Sequence, residues 1–293
     1  MILIVGATGL LGGEICRRLR ERGHPVRALA RETSDPAKVQ RLTSLGAEIV
    51  RGDLKDRASL DQACRGAATV ISTASTTLSR QPDDSIGGVD QDGQMQLVDA
   101  ARGAGVGEFV YVSLSGNFEV ECPLRTAKRS VERHLQKSGL TYTILRPSVF
   151  MEVWLSPALG FDFTKGAAQI FGTTRQPISW ISLGDVAEFA VTCVGHPAAR
   201  NTVIELGGPE ALSPEDVVRT FEEVTGRHFD TQHVPETALE EQWRTAGDPL
   251  QKSFAALMLG FAHGDPIDMR RTLDVFPLRL GTVREYATRV TTA

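Results

Sequence analysis

Four consecutive apolar residues, Ile2 to Val5, run into a glycine-rich turn and then into a repeat that sets Leu11, Ile15 and Leu19 on one helical face. A short apolar run followed by 3.6-residue periodicity predicts strand, turn and helix. The same alternation recurs. Strands are predicted at Val26 to Ala30, Glu48 to Arg51, Ala68 to Ser72, Phe109 to Leu114 and Tyr142 to Leu145. Between them, Asp35-Pro36 opens a helix carrying Val39, Leu42 and Leu45, and Gly46 closes it. Further helices are predicted around Ser59 to Cys64, from about Val89 to Ala104, and between Cys122 and Ser138. The polar segment Ser79 to Asp90 reads as a loop. Strands and helices in strict alternation, joined by short connections, imply a parallel sheet covered on both faces. The predicted fold class is therefore α/β, a doubly wound parallel sheet with its switch point beside the first strand.

From Met151 the pattern loosens. Met151, Val153, Trp154, Leu155 and Leu159, with Phe161, Phe163 and Phe171, form either core or the lining of an apolar cleft. Ile178 to Ile181 reads as a strand feeding a helix with Asp185 as its N-cap, and Val203 to Leu206 as a late strand. Ser213 caps a predicted helix with Pro214 in its first position, ending before Gly226. Helices follow at about Glu236 to Ala246, Asp248 to Ala262 and Val283 to Val290. The expected division is a nucleotide-binding domain over residues 1–150 and a smaller, mainly helical substrate lobe over 151–293, part of which returns to the main sheet.

Composition changes this picture little. The 293 residues are 41% hydrophobic and 23% charged, with a net charge of −4, which argues against a general nucleic-acid or anionic-membrane surface. No apolar run is long enough to span a bilayer. The first strand begins at residue 2, so no charged leader is expected. Cys16, Cys64, Cys122 and Cys193 are scattered and fit a reducing cytoplasm, three as small apolar fillers and Cys122 in a loop. With the six histidines dispersed as well, no metal site is expected.

The candidate chemistry lies at strand ends. Gly6, Gly9 and Gly12, with Thr8, Leu10 and Leu11, form a turn that lets backbone N–H groups approach an anion at a helix N-terminus, where a dinucleotide pyrophosphate commonly sits. After the second strand, an acid would bind a ribose 2′-hydroxyl; here Arg31 suits a 2′-phosphate, with Lys38 in support and Glu32 as the complicating neighbour. The cofactor reads as NADP(H) in preference to NAD(H). Asp53 is either an acceptor for the adenine amino group or a turn residue, and Leu54 a surface for the ring. Thr73, Ala74 and Ser75 are small enough to leave room for a ribose. On the helix before Ser138, Lys128 shares a face with Val131 and Leu135, while Arg125, Arg129 and Glu132 read as solvent-facing.

The ordered set GATGLLG, GDLKD, VISTAS, YVSLSG, Lys128 and YTILRPSVF resembles the extended and atypical short-chain dehydrogenases/reductases, and among them the NmrA-like group. That group includes isoflavone-type and benzylic ether reductases, quinone oxidoreductases and NADP-sensing regulators. The resemblance implies that Lys128 binds the nicotinamide ribose and acts as general acid or base, and that Ser113 matches a strand-five serine near the acceptor. It lays Pro147, Ser148, Val149 and Phe150 along the nicotinamide. One position departs: the tyrosine expected four residues before the lysine is Leu124. The resemblance therefore implies an NADPH-dependent reductase of an apolar, cyclic or quinone- or enone-like small molecule, with Lys128 in place of a Tyr-Lys pair. The alternatives are an NADP(H)-sensing regulatory or assembly protein without turnover, and a redox-neutral isomerase or dehydratase. The resemblance implies a monomer or a homodimer that binds a small, apolar substrate.

Overall fold

The computed structural model describes residues 1–78, 81–173 and 175–292. The chain runs β1 (Ile2–Val5), α1 (Leu10–Glu21), β2 (Val26–Ala30), α2 (Pro36–Ser44), β3 (Glu48–Arg51), α3 (Arg57–Cys64) and β4 (Thr69–Ser72). A π-helical segment, Ile86–Gly93, then leads into α4 (Gln94–Gly103), β5 (Glu108–Val112), α5 (Pro123–Lys137) and β6 (Thr141–Pro147). Beyond lie α6 (Met151–Trp154), β7 (Phe161–Asp162), β8 (Ala167–Phe171), α7 (Leu183–Cys193) and β9 (Thr202–Leu206). The chain ends through α8 (Pro214–Thr225), β10 (Asp230–Val234), α9 (Glu236–Thr245), α10 (Pro249–His263), α11 (Arg270–Val275) and α12 (Val283–Thr292).

Seven strands form one sheet in the order β3-β2-β1-β4-β5-β6-β9. The pairs β1–β2, β2–β3, β1–β4, β4–β5 and β5–β6 are parallel. The order reverses at β1, whose neighbours are β2 and β4, so the carboxyl ends of β1 and β4 flank the crevice where such sheets bind ligands. The expected α/β doubly wound fold is the observed one.

Two compact units divide the chain: residues 1–113, 126–145 and 186–204 form the first, and 114–125, 146–185 and 205–293 the second. Both faces of β1 and β4 are buried, as the near-continuous apolar runs require. One core cluster of the first unit joins Leu3, Val70 and Phe109 to Leu60, Leu97, Val131 and Leu135 from the covering helices. The second unit contains a three-stranded sheet, β10-β8-β7, which hydrophobic periodicity does not predict because β7 has only two residues and β10 is mostly exposed. The capping box of α8, Ser213 with Asp216, is observed, with Gly226 left-handed at the C-terminus.

Several local expectations change. Ser79 and Arg80 lie outside the described residues, but the rest of the expected loop is structured from Ile86 onward. Ser85 accepts a hydrogen bond from the Gly88 amide, and Ile86, Val89 and Asp90 are buried. Ile178 to Ile181 is no regular strand; Ile178 and Ile181 make only isolated bridges. Asp185 does not cap α7: its own amide donates to Ser182 Oγ at 2.9 Å, so Ser182 holds that place. Glu132, expected in solvent, is buried. Cys122 is buried despite its loop position, as are the other three cysteines. The aromatic residues after Met151 pack as core. Trp154 stacks on Phe261 with ring centroids 4.4 Å apart, Phe161 meets Phe221 at 4.8 Å, and the cavity they help to line is only about 20 Å³.

Candidate dinucleotide site

The turn after β1 is built by close approach. Gly6 has φ +88°, and a Cβ there would meet the Ala74 nitrogen and Thr73 Oγ1 at 2.7 Å. A Cβ on Gly12 would lie 2.2 Å from the Gly6 carbonyl oxygen. The Gly9 amide donates to that same carbonyl at 3.0 Å, and the Thr73 amide donates to Val5 O at 2.9 Å. The glycine turn and the segment Thr73–Ser75 therefore come together at the switch point. Gly9 is the N-cap of α1, and neither a capping side chain nor an acidic residue occupies the helix's first turn. Its first amides are left for an anion, which the helix dipole favours. Thr8 is half-buried, Leu11 buried and Leu10 exposed beside this turn.

The adjacent edge carries the charges. Arg31 follows β2 and Lys55 lies just past β3, on neighbouring strand ends of the sheet. Arg31 Nη1 reaches Asp84 Oδ2 at 2.6 Å, and Lys55 Nζ reaches Asp84 Oδ1 at 2.8 Å and Asp83 Oδ2 at 2.6 Å. Lys38 and Glu32 are exposed. Asp53 forms a turn, its Oδ1 accepting from the Lys55 amide at 2.9 Å, and Leu54 is buried in the core cluster.

At the far end of the same sheet edge, Lys128 projects from α5 into the interior. Its Nζ is 3.4 Å from the Val112 carbonyl, 3.9 Å from Asp90 Oδ1 and 5.2 Å from the centroid of the Tyr111 ring. Asp90 is fully buried and accepts through Oδ2 from the Thr76 amide at 3.1 Å and the Thr76 hydroxyl at 2.6 Å. Asp90 Oδ1 and the Tyr111 hydroxyl are buried without a hydrogen-bond partner among the described residues. Burial pushes the Lys128 ammonium below its ordinary pKa, while Asp90 and Glu132 oppose that shift. Burial, reinforced by Asp90 and Glu132, drives the Tyr111 phenol well above its ordinary value. Ser113 Oγ donates to Glu132 Oε1 at 2.5 Å, and Arg129 pairs with the same oxygen at 2.6 Å. The Ser113 hydroxyl proton is thus committed to Glu132.

Pro147, Ser148, Val149 and Phe150 belong to the second unit. The Ser148 amide donates to Leu206 O at 2.8 Å, and its buried hydroxyl has no hydrogen-bond partner among the described residues. Leu124, at the position of the expected tyrosine, is buried, and its amide donates to Ser253 Oγ at 3.2 Å. Asp84, Asp90 and Glu132 are the residues that sequence reasoning missed; each is an ordinary acid in a polar stretch until the fold supplies its partner.

Comparison with known proteins agrees with this architecture. The model of the NmrA-like family matches residues 1–287. An isoflavone reductase homologue of Zea mays is 31% identical over 98% of this chain and 97% of its own length. A photosystem II assembly factor of Trieres chinensis is 29% identical over 80% of this chain and 72% of its own. Among solved structures, a quinone oxidoreductase of Escherichia coli complexed with NADPH superposes with a TM-score of 0.80 at 23% identity, covering 99% of this chain and all of that one.

Proposed function

The chain belongs to the NmrA-like family, and from that premise we propose that it is an NADPH-dependent reductase of a quinone- or enone-like small molecule. The observation that carries the reading is Lys128: a buried amine facing a buried carboxylate, on the sheet edge that also carries the glycine turn. NADPH supplies the hydride when bound. The chain's own groups fit it. The open amides of α1 take the pyrophosphate, and the glycines at positions 6 and 12 let the turn, the start of α1 and the Thr73–Ala74 segment approach closely enough to build that site. Arg31 takes the 2′-phosphate. Lys128 holds the nicotinamide ribose and delivers the proton that the reduced acceptor needs, because Leu124 offers no phenol and the Ser113 proton is engaged by Glu132.

The test is NADPH oxidation with a panel of small quinones and enones. Lys128→Ala should lower turnover at least a hundredfold while weakening NADPH binding less than tenfold, within the ordinary contribution of a positioned acid. A second reading, a nucleotide-sensing assembly protein, draws on Leu124 and on the similarity to the photosystem II assembly factor. Tight NADPH binding with no turnover across the panel would favour it and end the reductase reading.

A further inference from the structure

Asp84 is the odd member of the charged edge. It comes from a polar segment beyond β4, yet its side chain is only 1% exposed. Its carboxylate takes three donors: Arg31 Nη1 at 2.6 Å, Lys55 Nζ at 2.8 Å and the Gln81 amide at 2.7 Å. Burial would raise its pKa, but the Gln81 amide, Lys55 and Arg31 outweigh that and hold it below the usual carboxylate range. An anion held by an arginine, a lysine and a backbone amide is what a phosphate site provides.

Resting on the dinucleotide reading above, we propose that Asp84 is an internal anion seated where the 2′-phosphate of NADP(H) binds, and that its displacement sets the selectivity between NADPH and NADH. Arg31 directly follows β2, and Lys55 lies in the turn past Arg51, the last residue of β3 and the partner of Ala30; this is the edge where the adenosine ribose of such folds lies. A 2′-phosphate carries between one and two negative charges at neutral pH, roughly as a phosphoserine does. It cannot share two cations with a buried carboxylate without strong like-charge repulsion. NADPH must therefore expel Asp84 and take over Arg31 and Lys55. NADH, which has only a hydroxyl there, leaves Asp84 in place. Lys55 thereby becomes a second phosphate ligand beside Arg31.

The experiment compares wild type with Asp84→Asn, using NADPH, NADH and adenosine 2′,5′-bisphosphate in calorimetric titrations. Asp84→Asn should tighten NADPH and the bisphosphate about tenfold and move NADH less than twofold, since one repelling charge is removed. Lys55→Met should do the reverse for the two phosphates. Amide exchange of a peptide spanning residues 81–85 should accelerate on adding NADPH and stay unchanged with NADH. An unaltered NADPH-to-NADH ratio in Asp84→Asn, or protection of that peptide by NADPH, overturns the proposal and leaves the dinucleotide reading standing. Wild type that binds none of the three ligands removes both. Should Asp84→Asn fail to fold, Lys55→Met and the exchange experiment on wild type still decide the matter.

Discussion

Removing both partners of the Lys128–Asp90 pair should destabilise the protein by less than the sum of the two single removals. The two charged atoms stand 3.9 Å apart, and the Lys128 and Asp90 side chains are 7% and 0% exposed. At that distance their attraction is about 4 kcal/mol with an effective dielectric near 20, and about 1 kcal/mol if water screened them fully. Taking away one member of a buried pair leaves an uncompensated charge, typically at a cost of about 3–5 kcal/mol. Lys128→Met should fall at the lower end, near ~3 kcal/mol, because Asp90 keeps its two bonds from Thr76. Asp90→Asn should cost about 1–2 kcal/mol, since the amide oxygen still accepts from Thr76 and Lys128 still faces Glu132. Urea unfolding of wild type, both single variants and the double variant gives the coupling, which should be about 2 kcal/mol, with similar denaturant slopes in all four. A coupling below about 0.5 kcal/mol would mean that the pair is not electrostatically joined, and the view of Asp90 as the lysine's counter-ion would be wrong.

Three further outcomes follow from the same geometry. Gly12→Ala drives a Cβ to 2.2 Å from Gly6 O and 2.7 Å from its carbonyl carbon, both rigid backbone, so it should lower stability by at least ~2 kcal/mol and NADPH affinity more than tenfold; an unchanged melting temperature would contradict the close approach. If protonated Lys128 is the acid, turnover should fall as pH rises through its folded pKa, with the alkaline limb below the roughly 10.4 of a free lysine. The groups facing that amine are Asp90, Glu132 and Tyr111; both carboxylates raise its pKa, so Asp90→Asn and Glu132→Gln should each move the limb to lower pH, and a move to higher pH reverses the assignment. Trp154→Ala removes a ring stacked on Phe261 at an interplanar angle of 9° and should cost about 2–3 kcal/mol in urea unfolding; less than ~1 kcal/mol would show that the cluster collapses around the gap.

What was readable in the chain is what is encoded within a few residues. The apolar runs, the spacing of Gly6, Gly9 and Gly12, and the Ser213 cap announce themselves locally, and the sheet order follows from their alternation. Lys128, Val131 and Leu135 were recognisable as one face because helical spacing alone puts them there, and all three are buried. Strands β7, β8 and β10 were not, since pairing between distant, weakly apolar segments leaves little periodic trace.

The acids of the site were hidden for a deeper reason. Nothing beside Glu132 in sequence says that Ser113 will bury it, and Asp84 gains its meaning from Arg31, 53 positions earlier. A carboxylate is buried only where a donor waits for it, so its fate is a property of the fold. The segment after β4 makes the point twice. Its polarity and glycines mark it as a loop, yet it supplies two buried carboxylates: Asp84 against Arg31 and Lys55, and Asp90 against Lys128. The polar character that disguised this stretch is therefore what lets it neutralise both charged ends of the sheet edge, Arg31 with Lys55 at one and Lys128 at the other.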